Sequence, residues 1–384
     1  MKEAGSRRVL VAHNVERRGR GGAARMMESM HSGLEAFGWQ TDYFTSDDVA
    51  WMQSPKLQRH TFTWHVRRYA RKAFLCGEPY DIINIHEPSG AAIVLGKSAL
   101  GNPAVVAMSH GLEERYWDLR RRLGADGPEP PTLKESVSFP LLTRWQLRMT
   151  LRGADHVLCS NEDDRSFLVD RLGIDPQNIT IITHGAGPEF SSVASRRIYR
   201  RPCSRILFSG TWIPRKGIRQ VAEAFSILAA RHPELQLGIL GAGLSAERVL
   251  ADFPGPLRNR IAVFAPLSHA ECAETLLDYD IFLLPSYFEG GPLALIEAMY
   301  TGIPAITTSA WLKHLVRDNE NCVLISPGKS AEIVNALKRL IGDAGLRERL
   351  GRQGSADAIS KCTWRALAES VNKVYSKLLE SNAR

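Results

Sequence analysis

The chain has 384 residues, of which 44% are hydrophobic and 23% are charged, and its net charge is +8 from 49 basic and 41 acidic residues. This length suits two domains better than one core. No apolar run approaches the roughly 20 residues of a membrane-spanning helix. The modest excess of basic residues, without a dedicated basic domain, gives no reason to expect nucleic-acid binding.

The N-terminus and the cysteines both favour a cytoplasmic protein. The first apolar run, residues 9–12, is too short for the core of a signal peptide. The six cysteines lie far apart, without a Cys-x-x-Cys pair. We therefore expect reduced structural thiols and neither zinc sites nor disulfides.

The first half alternates short apolar runs with helical stretches, which is typical of βαβ units and a parallel sheet. A glycine pair, Gly21-Gly22, begins a predicted helix that ends near Gly38. Residues 112–150 hold a charged, proline-rich insertion, and residues 187–204 lack periodicity, as an interdomain linker would. The predicted strands are residues 8–12, 81–85, 104–108, 154–159 and 179–182.

The second half repeats this pattern and ends in an amphipathic helix, residues 363–379. Another helix is predicted at residues 220–231. The predicted strands are residues 205–209, 235–240, 261–265, 281–284, 304–307 and 323–325. The whole chain is thus predicted to be α/β. Its predicted parts are a Rossmann-like domain (1–190), a linker (191–204), a second Rossmann-like domain (205–360) and a C-terminal helix (361–384).

The segment EGGPLALIEAM, residues 289–299, follows a predicted buried strand and begins a helix with two glycines and a proline. Pro292 suits the first helical position. The free N–H groups and the helix dipole there favour an anion such as phosphate. Glu297 lies on an apolar helix, where an unpaired carboxylate is costly, and the vicinal hydroxyls of a ribose would satisfy it. With Glu289 as a second acid, the segment predicts a nucleotide-sugar site; the alternative is an ordinary strand–loop–helix unit with solvated glutamates.

This arrangement of two glutamates around a glycine-rich helix start resembles the signature of the retaining glycosyltransferases of family 4. The resemblance implies a GT-B fold, in which two Rossmann-like domains face each other across a cleft and the C-terminal helix returns to the first domain. It also implies sugar transfer, with retention, from a nucleotide-diphosphate sugar to a glycan, lipid-linked or small-molecule acceptor. Neither a metal nor a further cofactor is expected.

The resemblance also implies roles for individual residues. Without a metal, fixed cations must stabilise the charge of the leaving diphosphate, and Lys216 matches the family's phosphate-binding lysine. Thr211 stands where many members have arginine, and Arg215 is a candidate replacement. His110, which follows a predicted strand, matches the family's histidine beside the transferred sugar. The predicted catalytic residues are His110, Lys216 and Glu289. The predicted substrate-binding residues are Gly21, Gly22, Arg215, Gly290, Gly291, Pro292, Leu293 and Glu297.

Three other motifs have competing interpretations. Residues 241–246 (GAGLSA) resemble a dinucleotide fingerprint, but no acid follows the next predicted strand, so we expect no nicotinamide cofactor. The acidic run 162–164 resembles a metal motif of another glycosyltransferase fold, but it is better explained by a helix start capped by Ser160 or Asn161. His86 is interpreted as an acceptor contact or as a packing residue.

Residues 64–72 (WHVRRYARK) interleave aromatic and basic side chains. A solvated helix face with buried arginine stems explains them. Peripheral contact with an anionic membrane, which suits a lipid-linked acceptor, is the alternative. Two alternative functions also stay open: a sugar-nucleotide epimerase of the same fold, and a catalytically silent protein that binds a nucleotide sugar.

Overall fold

The computed structural model describes residues 7–17, 22–52, 54–199, 202–308 and 313–382. The chain divides into two compact units. Unit 1 comprises Met1–Leu119, Pro131–Thr183 and Trp364–Arg384, and unit 2 comprises Arg120–Pro130 and His184–Thr363. Each unit contains one six-stranded parallel sheet. The predicted α/β class is therefore confirmed, while the domain limits drawn from the sequence stay a prediction.

The sheet of unit 1 has the strand order β2-β1-β3-β4-β5-β6. Its strands are β1 (Arg7–His13), β2 (Trp39–Thr45), β3 (Ile82–His86), β4 (Ala104–Met108), β5 (His156–Cys159) and β6 (Ile179–Ile181). Its helices are α1 (Gly22–Glu35), α2 (Pro55–Leu75), α3 (Ala91–Leu95), α4 (Glu113–Leu123), α5 (Leu133–Ser138), α6 (Arg144–Gly153), α7 (Glu162–Leu172) and, at the end of the chain, α15 (Trp364–Asn382). Because β2 and β3 lie on opposite sides of β1, the order reverses at β1 and β3, where open α/β sheets bind ligands.

Unit 1 differs from the sequence prediction in two places. The edge strand β2 was not predicted, because its sequence WQTDYFT mixes polar and aromatic residues and only part of it is buried. The segment 112–150 is largely helical: it contains α4, α5, a π-helical turn (Phe139–Thr143) and the first seven residues of α6. These short helices were not predicted because their sequence is polar and contains prolines.

The helix α15 packs within unit 1. The Trp39 indole donates to the Asn372 side chain at 2.9 Å, and the Asn84 amide donates to the buried Tyr375 hydroxyl at 2.6 Å. Leu367, Val371 and Tyr375 are all buried on its inner face, as the amphipathic pattern predicts.

The sheet of unit 2 has the strand order β12-β11-β10-β7-β8-β9. Its strands are β7 (Arg205–Ser209), β8 (Gln236–Leu240), β9 (Ile261–Val263), β10 (Ile281–Leu284), β11 (Ala305–Thr308) and β12 (Val323–Ile325). Its helices are α8 (Pro188–Ser192), α9 (Ile218–Ala229), α10 (Ala246–Leu250), α11 (His269–Asp278), α12 (Leu293–Tyr300), α13 (Ser330–Gly342) and α14 (Ala344–Lys361). Here the order reverses at β7 and β10.

The predicted linker, residues 187–204, is more ordered than its sequence suggests. It contains α8, and Arg197 is buried within unit 2. The Arg197 guanidinium donates to the carbonyls of Leu276, Tyr279 and Thr301 at 2.7–2.8 Å. These carbonyls belong to the ends of α11 and α12, where helices leave acceptors unsatisfied. The linker arginine therefore joins two helix termini.

Among the described residues, no helix is both long enough and apolar enough to cross a membrane.

Candidate active site

The two loops of unit 2 that carry the predicted chemistry follow β7 and β10, the neighbouring strands at which the sheet order reverses. They also contact each other. The Tyr287 N–H donates to the Arg215 carbonyl at 2.8 Å. Gly217 has φ +74°, and a Cβ there would collide with the Pro285 carbonyl. Glycine thus allows the loop after β7 to lie directly on the loop after β10.

Lys216 and Glu289 form an ion pair with each other. The side chains are 14% and 8% exposed, respectively. The Ser286 hydroxyl donates to the same Glu289 oxygen at 2.8 Å. The Lys216 stem passes beside Gly210, whose φ of +144° is a backbone conformation that other residues rarely adopt. The sequence predicts Lys216 to bind the diphosphate and Glu289 to bind the sugar, and in the structure these two side chains bind each other.

The glycine-rich helix start is held by a histidine that the sequence did not single out. His184 is buried, and its Nδ1–H donates to the Gly291 carbonyl at 3.1 Å. A Cβ on Gly291 would lie 2.5 Å from the His184 ring. Burial lowers the pKa of His184 to about 4, so the ring is neutral at physiological pH. His184 therefore holds the loop in place. Position 291 requires glycine because any side chain there would collide with the His184 ring.

The helix α12 begins at Leu293, one residue later than predicted, and Pro292 is its N-cap. The Pro292 carbonyl accepts from the N–H groups of Leu295 and Ile296. Gly290, Pro292 and Leu293 are buried. Glu297 is only 9% exposed in an otherwise apolar helix. The loop and helix start thus have the arrangement that an anion-binding helix N-terminus needs.

In unit 1, the loop after β4 brings His110 to two other histidines. His110 Nε2 lies 2.6 Å from His86 Nδ1, and the ring centroid of His13 is 4.1 Å from that of His86. His13 and His86 end β1 and β3, the strands at which the order of this sheet reverses. Burial lowers the pKa of His13 to about 4 and holds the pKa of His86 well below its ordinary value. The sequence predicted His110 and His86 here, but not His13.

The remaining predicted residues have plainer positions. Gly21 lies outside the described residues, and Gly22 is the first residue of α1. Arg215 is partly buried in the loop after β7, while Thr211 is exposed. The roles assigned to these residues stay predictions.

The acidic run 162–164 begins α7, as predicted. The Asn161 side chain caps this helix by accepting from the Asp164 N–H at 2.8 Å. Arg115 forms ion pairs with Asp163 and Asp164. The predicted helix start and its cap by Asn161 are therefore confirmed, and the structural interpretation of the run stays a prediction.

Sequence comparison matches each half of the chain to a glycosyltransferase family model. Residues 203–357 match the family model "Glycosyl transferases group 1", and residues 20–190 match "Glycosyltransferase Family 4". The phosphatidyl-myo-inositol mannosyltransferase of Mycobacterium leprae (strain TN) is 24% identical over 85% of this chain and 81% of its own length. The D-inositol 3-phosphate glycosyltransferase of Stackebrandtia nassauensis is 27% identical over 60% of this chain and 56% of its own length.

Solved structures share the fold. A sucrose-phosphate synthase from Thermosynechococcus elongatus has a TM-score of 0.76 at 18% identity, covering 98% of this chain and 100% of that one. Alr3699/HepE of Anabaena, solved with UDP and glucose, has a TM-score of 0.66 at 15% identity, covering 96% of this chain and 99% of that one. Together with the two family models and the switch-point loops, these similarities show that the chain belongs to the family-4 glycosyltransferases of the GT-B fold.

Proposed function

We propose that this glycosyltransferase transfers a sugar from a nucleotide-diphosphate sugar, with retention of anomeric configuration and without a metal cofactor. The observation that carries the proposal is the constellation in unit 2 of Lys216, Glu289 and the glycine-rich start of α12. A cation, a carboxylate and free helix N–H groups on two contacting loops suit a sugar diphosphate.

In this proposal the substrate rearranges the ion pair. The diphosphate takes Lys216 as its counter-ion, which releases the Glu289 carboxylate to accept hydrogen bonds from sugar hydroxyls. The N–H groups at the start of α12 bind phosphate oxygens, and Glu297 accepts from the ribose hydroxyls. Arg215 supplies a second positive charge, and His110 contacts the transferred sugar.

Departure of the diphosphate generates an oxocarbenium-like sugar paired with the leaving group. The acceptor hydroxyl attacks the same face that the leaving group occupied, so the new glycosidic bond keeps the donor's configuration. The leaving phosphate oxygen accepts the hydroxyl proton. No carboxylate acts as a covalent nucleophile in this scheme, because Glu289 is assigned to the hydroxyls of the sugar.

The acceptor is proposed to be presented at an anionic membrane surface. α2 carries no acidic residue and exposes Arg68, Arg71 and Lys72. It packs beside α6 through His60 and Gln146, which are hydrogen-bonded at 2.9 Å. Large apolar side chains are exposed on α2, α5 and α6 and on the segment between α5 and α6: Leu57, Trp64, Leu133, Val137, Leu141, Leu142 and Trp145. We call this set the apolar surface.

The spacing of the apolar surface supports this proposal. Leu133, Val137, Leu141 and Trp145 recur every four residues and are between 50% and 91% exposed. Such an unpaired apolar stripe beside a basic helix suits partial insertion between lipid headgroups. The mannosyltransferase relative is named for a phosphatidyl-inositol substrate, and a lipid-linked acceptor would place this chain at a membrane as well.

Thermal unfolding with UDP, GDP, ADP and their common sugars, with and without EDTA, tests the donor proposal. One nucleotide family should raise the unfolding temperature whether EDTA is present or not. At a hundredfold excess over the dissociation constant, binding contributes about 2.7 kcal/mol. If no nucleotide raises the unfolding temperature, the donor site proposed in unit 2 is wrong.

Product analysis separates the alternatives. An epimerase would convert the nucleotide sugar without any acceptor, and a silent binding protein would be stabilised by the nucleotide sugar but form no product. A glycosyltransferase alone joins the sugar to an acceptor.

A further inference from the structure

Three histidines of unit 1 lie close together, and the proposed transfer assigns a role to His110 alone among them. His13 and His86 end β1 and β3, His110 follows β4, and we call these three residues the histidine cluster. Their ring centroids are 4.1, 4.6 and 5.4 Å apart. One nitrogen from each ring lies within 4.8 Å of the corresponding nitrogens of the other two. A single phosphate or sugar hydroxyl would not need three convergent imidazoles.

Buried nitrogen atoms in this cluster point to a ligand. His13 and His86 are 6% and 3% exposed. Within the described chain, His13 Nδ1 and His86 Nε2 are buried without a hydrogen-bond partner. A buried polar atom without a hydrogen-bond partner destabilises the folded chain. A neutral imidazole has one nitrogen without a proton, whose lone pair can bind a metal ion.

A cavity of about 190 Å³ lies beside the cluster. His13 and His86 line it together with Asn14, Glu87 and Ser89. Asn14 Oδ1 and Glu87 Oε2 are also buried without a hydrogen-bond partner among the described residues. The cavity therefore offers oxygen atoms and room for one small non-protein ligand next to the nitrogen atoms.

We propose that the histidine cluster binds one first-row divalent transition-metal ion, for which Zn²⁺ is the reference. Three imidazoles with an open fourth position form a common zinc site, with Zn–N distances of about 2.0–2.1 Å. Nitrogens bound to one tetrahedral ion lie about 3.4 Å apart. The ring nitrogens, which lie within 4.8 Å of one another, must therefore move closer together when the ion binds. His110, the least buried of the three, has the most freedom to move. Magnesium prefers oxygen ligands and is not expected here.

Binding changes the hydrogen bonding of the cluster but not its proton count. One of the two rings in the His86–His110 contact donates its N–H to the other. When the metal takes that nitrogen, the proton moves to the second nitrogen of the same ring. Each imidazole stays neutral, and a water molecule completes the coordination.

The consequence for transfer rests on the proposed function. Since His110 is assigned to the transferred sugar, an ion that holds its ring competes with the sugar. We therefore expect the ion to inhibit transfer and EDTA to leave transfer unchanged or to increase it.

The first test uses the full chain without a histidine tag, freed of metal with EDTA. Calorimetric titration with Zn²⁺ should show one ion per chain. X-ray absorption of the zinc-loaded protein should show three imidazole nitrogens at about 2.0–2.1 Å. Absence of binding, or a shell without three imidazoles, would overturn the proposal, and this test needs no variant.

The second test compares His13→Gln with His232→Gln, which changes a histidine of unit 2 whose side chain is 34% exposed. We expect His13→Gln to weaken zinc binding at least about 100-fold, since even outer-shell changes cost about 10- to 100-fold. His232→Gln should bind as the unmodified chain does. A folded His13→Gln protein with unchanged affinity would contradict the site. If His13→Gln does not fold, the X-ray absorption result decides.

The two proposals fail in different ways. Zinc binding without inhibition would keep the metal site and remove His110 from the sugar. Zinc binding by a chain that no nucleotide stabilises would keep the metal site and refute the donor proposal alone.

Discussion

Lys216 and Glu289 balance each other's charges through their ion pair. Their motifs predict a role for each residue separately, because lysine suits a diphosphate and glutamate suits sugar hydroxyls, and these roles stay predictions. Their mutual ion pair was not predictable, because it depends on the contact between the loops after β7 and β10. A diphosphate donor must therefore exchange one anionic partner of Lys216 for another.

Replacement of Lys216 by alanine tests this exchange. We expect kcat to fall about 100-fold or more, since one lost donor to a developing anion costs roughly that much. Steady-state kinetics measure the effect, and Arg219→Ala, an exposed cation at the start of α9, is the matched control. Turnover of Lys216→Ala within a few-fold of the unmodified chain would refute the charge-neutralisation argument.

Gly291 and His184 should be energetically coupled. Gly291→Ala places a methyl group against the His184 ring, and such overpacking costs about 1–3 kcal/mol. In the double variant Gly291→Ala/His184→Ala the collision is absent, so the double variant should be more stable than the sum of the single effects predicts. Urea unfolding of all four proteins measures this. If the two changes in the free energy of unfolding simply add, the His184 ring is not the reason that position 291 requires glycine.

At the scale of elements, the sequence predicted the strands with continuous apolar runs, such as β4 and β10, because strands buried on both faces need such runs. It missed β2, a half-buried edge strand with a mixed sequence. The short helices of 112–150 and α8 were missed for a related reason. They are stabilised by tertiary contacts, such as the stacked rings of Trp117 and Phe139 at 4.4 Å, which a single sequence does not reveal.

Arg197 is expected to stabilise unit 2 because its guanidinium donates hydrogen bonds to the carbonyls at the C-terminal ends of α11 and α12. Arg197→Ala leaves buried carbonyls without a donor, and we expect a loss of about 3 kcal/mol or more. Its neighbour Arg196 is the control: its ion pair with Glu274 is more than half exposed on both sides, and such pairs contribute about 0–1 kcal/mol. Equal losses for Arg197→Ala and Arg196→Ala in chemical unfolding would contradict the helix-end role.

The apolar surface predicts binding to anionic vesicles. Leu141→Glu with Trp145→Glu should weaken co-sedimentation at least about tenfold, since the change removes apolar burial and adds negative charge. Ile227→Glu, at a 45% exposed position of α9 in unit 2, introduces one negative charge elsewhere and should not weaken binding. Moderate salt should weaken binding by the unmodified chain, and binding unaffected by both salt and the double variant would exclude this surface.

At the scale of the whole molecule, buried histidines make the stability depend on pH. In unit 1 the pKa of four histidines is lowered, chiefly by burial: His13, His31, His86 and His156. For His13, His31 and His156 the value falls from 6.5 to about 4. In unit 2, burial lowers the pKa of His184 to about 4.

The sign follows from proton binding. Between pH 6.5 and about 4 the unfolded chain protonates these rings and the folded chain does not, so stability falls as pH falls. The buried rings of His13 and His31 each lower the free energy of unfolding in acid by up to about 3 kcal/mol. Burial raises the pKa of Glu87 and Asp164, which acts in the opposite direction, but in unit 1 the histidines outnumber these two acids. Calorimetry at pH 7 and pH 5 should show a lower unfolding temperature at pH 5, and an equal or higher one would contradict the assignment.

The fold and the separate motifs of this enzyme could be predicted from its sequence, because both are local. Strand patterns predicted two α/β halves, and the segment 289–299 indicated an anion site. The contacts among distant segments could not be predicted: His184 on Gly291, His13 beside His86, and Arg197 on two helix ends. These contacts depend on strand order, which cannot be inferred from the local patterns of a single sequence.

Proton NMR of a nucleotide-sugar donor in the presence of EDTA, first with water and then with an alcohol as acceptor, tests retention and metal independence together. From an α-linked donor, the account predicts that the α-anomer appears first, at a rate that EDTA does not lower. First appearance of the β-anomer would contradict retention, and loss of turnover in EDTA would contradict metal-independent transfer.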